Sequence, residues 1–105
     1  MNETEFEAAA NAALEALERS LEATDLDFEL KPGGIVEIEF DDGSKIIVNR
    51  HGAAREIWVA ARSGGFHFRW DRGEWRDTRS GRELFAALSE LASAQSGGSV
   101  RLSGG

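Results

Sequence analysis

Six carboxylates follow one another closely near the end of the first third of the chain. They are Glu15, Glu18, Glu22, Asp25, Asp27 and Glu29. Crowded carboxylates repel one another, and a hard cation bound among them relieves that repulsion. Ligand sets made only of oxygen suit magnesium, calcium, manganese and iron rather than soft metals. These residues, called the acidic ridge below, predict a cation-binding surface; the alternative is a solvated face that only aids solubility.

The charge of the chain is divided unequally along its length. Residues 1–42 hold thirteen Asp and Glu against two basic residues, a net charge of −11, whereas residues 43–105 carry +4. The acidic part would repel nucleic acid and attract cations and basic protein surfaces. We therefore expect a basic protein partner and no nucleic acid.

The sequence offers few residues or motifs for chemistry other than cation binding. With no cysteine, the chain cannot form disulfides, zinc–thiolate sites or cysteine-held iron–sulfur clusters. No HExxH, GxSxG or phosphate-binding loop is present. His51 is expected in a loop, and His67 on the sheet face opposite Phe66 and Phe68. We therefore expect no enzymatic activity.

Neither a membrane span nor a targeting segment is expected. The longest apolar run is far shorter than the ~20 residues that cross a bilayer. The first ten residues carry three glutamates, whereas targeting peptides begin with positive charge. We expect a cytoplasmic protein without membrane contact.

A helix over residues 3–23 would position the first half of the acidic ridge. Asn2 and Glu5 have the spacing of a capping box. Apolar residues recur every three or four positions from Phe6 to Leu21 and predict one buried stripe. Glu15, Glu18 and Glu22 then lie together beside that stripe.

A strand in which apolar and acidic residues alternate would position Asp25, Asp27 and Glu29, the second half of the acidic ridge. In residues 25–31, Leu26, Phe28 and Leu30 alternate with acids, so the apolar set should point inward and the acids outward. Five further strands are expected at residues 35–40, 45–49, 56–61, 66–70 and 75–77. In the strand at 56–61, Trp58 falls on the face opposite Ile57 and Val59. An exposed Trp suits a protein contact, and the alternative is shielding by neighbouring side chains.

A second helix is expected from about Gly81 or Arg82 to Gln95, with Ser80 and Glu83 at capping-box spacing. A tail over residues 99–105 would tuck Val100 and Leu102 between the helices and fray at its last two glycines. The order helix, strands, helix predicts an α+β two-layer sandwich, with two terminal helices on one face of an antiparallel sheet of about six strands. Residues 1–105 are interpreted as one domain.

Five short motifs, taken in order, give the chain a family resemblance. They are Asn2–Phe6, Asp42–Arg50, Glu56–Ala60, Gly64–Phe68 and Thr78–Gly81. Together they resemble the bacterial frataxins of the CyaY type, over about residues 1–102. The resemblance implies the frataxin sandwich, weak surface binding of ferrous and ferric iron, and a role in iron–sulfur cluster assembly. It also implies a cysteine desulfurase and a scaffold protein as partners.

The same resemblance assigns residues to these roles. It implies iron binding along all six ridge carboxylates, and desulfurase binding at Glu18, Glu22 and Asp25. It implies scaffold contact on the open sheet face at Asn49 and Trp58. We expect a monomer that iron could drive into oligomers by neutralising the ridge.

Three functions are compatible with these expectations. The first is an iron donor or iron-dependent regulator of the desulfurase. The second is a metal-independent acidic module that binds proteins. The third is ferroxidase-type iron detoxification, ranked last because a preformed di-iron centre uses Glu-x-x-His ligands, which this sequence lacks.

Overall fold

Two helices pack on one face of a six-stranded antiparallel sheet whose strands lie side by side in chain order. The computed structural model describes residues 1–104, so Gly105, part of the expected tail, lies outside them. The elements are α1 (Glu3–Glu22), β1 (Asp27–Lys31), β2 (Ile35–Glu39), β3 (Lys45–His51), β4 (Glu56–Ala61), β5 (Gly64–Asp71), β6 (Glu74–Asp77) and α2 (Leu84–Ser96). The expected two-layer α+β sandwich is confirmed.

α1 begins and ends where local chemistry requires. The Asn2 side chain accepts the Glu5 amide, and the Glu5 carboxylate accepts the Asn2 amide, which completes the expected capping box. At the other end, the Thr24 hydroxyl donates to the Leu21 carbonyl and accepts the Leu26 amide. This corner turns the chain from α1 into β1.

The sheet buries one face and leaves the other open. Phe6, Leu17, Ile38, Val48 and Phe68, among others, are at most 2 % exposed in the core. One strand position contradicts its expected burial: Leu30 shares the face of Phe28, two residues away, but is 53 % exposed. β1 is an edge strand, so its helix-side residues are covered only where a helix reaches past the edge.

The two edges of the sheet differ in how far their outer backbone groups are paired. Beside β6, the Asp77 amide donates to the Arg82 carbonyl at 2.8 Å, and Arg76 forms a β-bridge with Glu83. The outer edge of β1 has no such cover within residues 1–104. The backbone of Asp27–Lys31 is paired with β2 alone.

The start of α2 differs from the expectation. The helix begins at Leu84, and its cap is Glu83, whose carboxylate accepts the amides of Phe85 and Ala86. Ser80 accepts the Arg82 amide instead, so the expected Ser80 capping box is wrong. The cap lies at Glu83 because the backbone of this residue is extended and forms a β-bridge with Arg76, so the helix cannot begin before Leu84.

The apolar residues of the tail pack as expected, and serine hydroxyls accept hydrogen bonds from its backbone. Leu102 is 4 % exposed, and its amide donates to the Ser89 hydroxyl at 2.9 Å. The Val100 amide donates to Ser93, and the Ser103 amide donates to Ser20 of α1. Within residues 1–104, no helix is both long and apolar enough to cross a membrane.

Candidate functional site: an acidic ridge and an open sheet face

The helical part of the acidic ridge lies on the second half of α1. Glu15 and Glu22 are exposed and Glu18 is half-buried, beside the buried Leu14 and Leu21. These acids follow the chain toward the Thr24 corner. The helical period alone therefore places them on one flank, as expected.

The strand part of the ridge continues around this corner. Asp25 is exposed in the turn before β1, so its expected place on the strand is wrong, although it still lies between the helical and strand parts of the ridge. Asp27 and Glu29 are exposed on β1 and share one face at a spacing of two residues. The ridge thus spans a helix, a turn and an edge strand.

The β-ladder adds two carboxylates that sequence reasoning left out of the site. Asp27 lies directly opposite Glu39, and Glu29 directly opposite Glu37. The β1–β2 hairpin could have been used to identify Glu37 and Glu39 from the sequence. Lys31 and Ile35 pair across the turn at residues 32–34, so every cross-strand pair in this hairpin has numbers that add up to 66. Four carboxylates therefore face one another on the open side of β1 and β2.

Only the inner pair of these carboxylates has cationic partners. Glu37 contacts Lys45 at 2.8 Å and Lys31 at 3.2 Å, and Lys45 reaches Glu39 at 3.9 Å. The hydrogen bonds from Lys45 and Lys31 lower the pKa of Glu37, and Glu37 raises the pKa of Lys45 in turn. Within residues 1–104, none of the six ridge carboxylates has an ion pair.

A cleft of about 620 Å³ opens beside the turn of the ridge. Asp25, Asp27, Glu39 and Asp41 line it together with the end of α2 and the tail. Even so, residues 1–104 contain no group of three or more His, Asp or Glu arranged to hold one metal ion. The ridge concentrates negative charge without forming a preformed chelating site.

The open face centres on Trp58, and it bears out the expected orientation of that residue. Trp58 lies directly opposite Asn49 of β3 and His67 of β5. Its ring stacks between His51, at a centroid distance of 3.8 Å, and His67, at 4.5 Å. The indole is therefore both presented on this face and shielded by its neighbours. His51 ends β3 rather than lying in a loop.

Glu56, two residues away on the same face of β4, holds the indole by a hydrogen bond. It is only 5 % exposed, accepts the Trp58 Nε1 proton at 2.8 Å, and pairs with Arg69 at 2.6 Å. Burial alone would raise the pKa of this carboxyl, but the hydrogen bonds from Trp58 and Arg69 outweigh it and lower the pKa. Because its N–H is already bonded, Trp58 offers a partner mainly ring edge.

Comparison with known proteins agrees with this architecture. The family model described as a frataxin-like domain matches residues 1–98. The iron-sulfur cluster assembly protein CyaY of Dechloromonas aromatica is 61 % identical over 104 residues, covering 97 % of this chain and 99 % of that protein. CyaY of Paraburkholderia xenovorans is 55 % identical over 98 residues, covering 92 % of this chain and 93 % of that protein.

Solved structures show the same likeness. Frataxin from Psychromonas ingrahamii superposes with a TM-score of 0.88 at 30 % identity, covering 98 % of this chain and 99 % of that chain. Trimeric frataxin from Saccharomyces cerevisiae, complexed with ferrous iron, gives a TM-score of 0.71 at 27 % identity, covering 83 % of this chain and 84 % of that one.

Proposed function

Because this chain belongs to the frataxin family and acts in iron–sulfur cluster assembly, we propose that it does so through the acidic ridge, as an iron donor or iron-dependent regulator of a cysteine desulfurase. One observation carries the proposal. The six ridge carboxylates stand without ion pairs within the described chain, whereas Glu37 and Glu56 are each held by a basic side chain. Uncompensated charge of this kind attracts cations and basic proteins.

Iron binding is proposed to be weak and spread over the surface. Oxygen ligands suit ferrous and ferric iron, and the yeast relative was solved with ferrous iron. Since no three ligands converge in residues 1–104, each ion would keep much of its water. Glu15, Glu18, Glu22, Asp25, Asp27 and Glu29 are the proposed ligands. Iron is the cargo here, and the protein is proposed to act without catalysis.

Two partner surfaces are proposed. Glu18, Glu22 and Asp25 would meet a basic groove on the desulfurase. Asn49 and Trp58, opposite each other on the open face, would contact the scaffold protein. We further propose a cytoplasmic monomer that assembles into oligomers when iron neutralises the ridge. The yeast relative is described as a trimer.

An iron titration tests the metal assignment. Isotope-labelled protein titrated anaerobically with Fe²⁺ should lose NMR signals from residues 18–29 first, because the paramagnetic ion relaxes nearby nuclei. The variant with Glu15, Glu18 and Glu22 changed to Gln should need more iron for the same loss. A control with Glu3 and Glu7 changed to Gln should behave like the parent. Uniform broadening, or none, contradicts the assignment.

The second candidate is the metal-independent protein-binding module, which the lack of a converging ligand group among residues 1–104 favours. Desulfurase capture separates it from the first. An iron-dependent regulator should bind the desulfurase differently with and without Fe²⁺. A metal-independent module should ignore iron, while its binding still weakens as salt screens the ridge.

A further inference from the structure

The outer edge of β1 is the open end of the sheet. β1 is the first strand in the order, and its backbone over Asp27–Lys31 pairs with β2 alone within residues 1–104. An edge strand presents a row of unpaired N–H and C=O groups, which is a template for another strand. At the β6 edge, Glu83 and Arg82 of the same chain pair with Arg76 and Asp77 at the end of that strand. Among the described residues, β1 is therefore the edge strand whose outer backbone is open along its whole length.

Side chains along this free edge select the chemistry of an added strand. Asp27 and Glu29 point to the open face, are exposed, and have no basic partner among the described residues. Their inner neighbours Glu39 and Glu37 are also acidic. The nearby Lys45 and Lys31 are engaged by these two carboxylates and form no ion pair with Asp27 or Glu29. An added strand would bring its own residues directly opposite Asp27 and Glu29, where opposite charges stabilise and like charges destabilise.

The other face of the same strand is apolar. Phe28 is half-buried against the core, and Leu30 is 53 % exposed. Leu30 is the most exposed of the three exposed large hydrophobic residues in the described chain, ahead of Met1 and Trp70. A strand added at this edge would cover Leu30 with an apolar side chain. A strand with basic residues on one face and apolar residues on the other would therefore complement this edge.

We infer that β1 binds an extended basic segment of a partner protein by β-strand addition, with Lys or Arg alternating with apolar residues. Main-chain hydrogen bonds supply binding in this mode, and alternate side chains supply specificity. The inference rests on the proposed function, because it specifies how a basic partner meets the strand part of the ridge. Central pairing of two β1 strands would oppose Glu29 to Glu29 and would set Asp27 opposite Lys31, which is already paired with Glu37. Because residues 1–42 of each chain carry a net charge of −11, a second copy fits less well than a basic segment.

Synthetic peptides test the backbone part of this inference on the full chain. The probe is an eight-residue peptide alternating lysine with valine, with blocked ends. Two comparison peptides carry N-methyl groups on all lysines or on all valines, so each loses the amide donors of one edge and keeps its charge. One methylated peptide should bind about ten-fold more weakly, and the other should stay close to the parent. Amides of β1 outside the β2 ladder should become protected from hydrogen exchange.

Charge-matched variants test the side chains. Changing Asp27 to Asn and Glu29 to Gln should weaken binding of the parent peptide several-fold. Changing Glu3 and Glu7 to Gln removes the same charge from the start of α1 and should change binding less than two-fold. Leu30→Ser should weaken binding without altering the salt dependence, because it removes apolar contact and no charge.

Three results would overturn the inference. One is equal binding of both methylated peptides without new β1 protection, which describes charge attraction alone. Another is equal weakening by the two charge-matched variant pairs. The third is dimerisation of the chain through β1 in the absence of peptide. If desulfurase binding persists in any of these cases, the proposed function stands. If the desulfurase also fails to bind, the proposed function fails with it.

Discussion

Removal of the Leu102 side chain should destabilise the fold although the residue lies three positions from the end of the chain. Leu102 is 4 % exposed and belongs to the same core as the helices. Leu-to-Ala changes in cores cost about 2–5 kcal/mol, and the cost falls where the surroundings can collapse. A terminal segment can collapse more easily than a helix, so we expect about 2 kcal/mol for Leu102→Ala.

That loss is large for a domain of this size. Small domains are stable by about 5–15 kcal/mol, and about 1 kcal/mol shifts the melting temperature by roughly 4–8 °C. We therefore expect Leu102→Ala to melt roughly 10 °C below the parent. Thermal and urea unfolding followed by circular dichroism measure this change, with the urea midpoint falling at an unchanged slope.

Arg101→Ala is the matched control. Arg101 is the exposed neighbour of Leu102 and has no ion pair within residues 1–104. Its removal should stay within about 0.5 kcal/mol, as surface changes do. The reasoning is refuted if the two variants unfold alike, or if Leu102→Ala costs less than about 0.5 kcal/mol. Either result would mean that the tail contributes little to the core.

The remaining predictions concern buried acids and one turn. The Asp77 carboxylate is buried, which alone would raise its pKa, but the Arg79 and Ser80 amides lower it below the ordinary value of 3.8. Its contribution to stability is complete above that value and is lost as the pH falls through the lower folded pKa. Melting curves of the parent should therefore fall more steeply than those of Asp77→Asn on acidification below about pH 4, and parallel curves would contradict this. Glu56→Ala leaves the half-buried indole N–H of Trp58 without its acceptor and removes the buried carboxylate that pairs with Arg69. It should cost about 1–3 kcal/mol in urea unfolding, whereas an unchanged midpoint would show that these bonds are dispensable. Gly34→Ala should destabilise more than Gly33→Ala, since both have positive φ but only a Cβ at Gly34 would approach Arg50, at 3.2 Å; equal melting temperatures would refute that steric reasoning.

Periodicity alone determined much of the fold and part of the site. The three- and four-residue spacing from Phe6 to Leu21 leaves only one helix face to bury, and this places Glu15, Glu18 and Glu22 on its flank. Alternation likewise assigned Trp58 to the face opposite Ile57, as the structure confirms. These inferences needed only local geometry, which repeats along the chain whatever the distant residues do.

Contacts between segments that are far apart in the sequence decided the remaining features of the fold and the site. The alternation of apolar and acidic residues in the sequence predicts which sheet face Leu30 lies on. Its exposure depends on how far the helices extend past the sheet edge, which the sequence pattern does not reveal. The stacking of Trp58 between His51 and His67 depends on the register of three strands.

The ridge itself shows the same division. The sequence by itself determined that its carboxylates are many, close in the chain and solvated, because charge and period are local properties. The hairpin register adds Glu37 and Glu39 to them. Only the tertiary structure decided that the edge beside them stays open while Arg82 and Glu83 pair with the end of β6. Strand pairing is a long-range choice, settled by which backbone groups find partners once the whole sheet has formed.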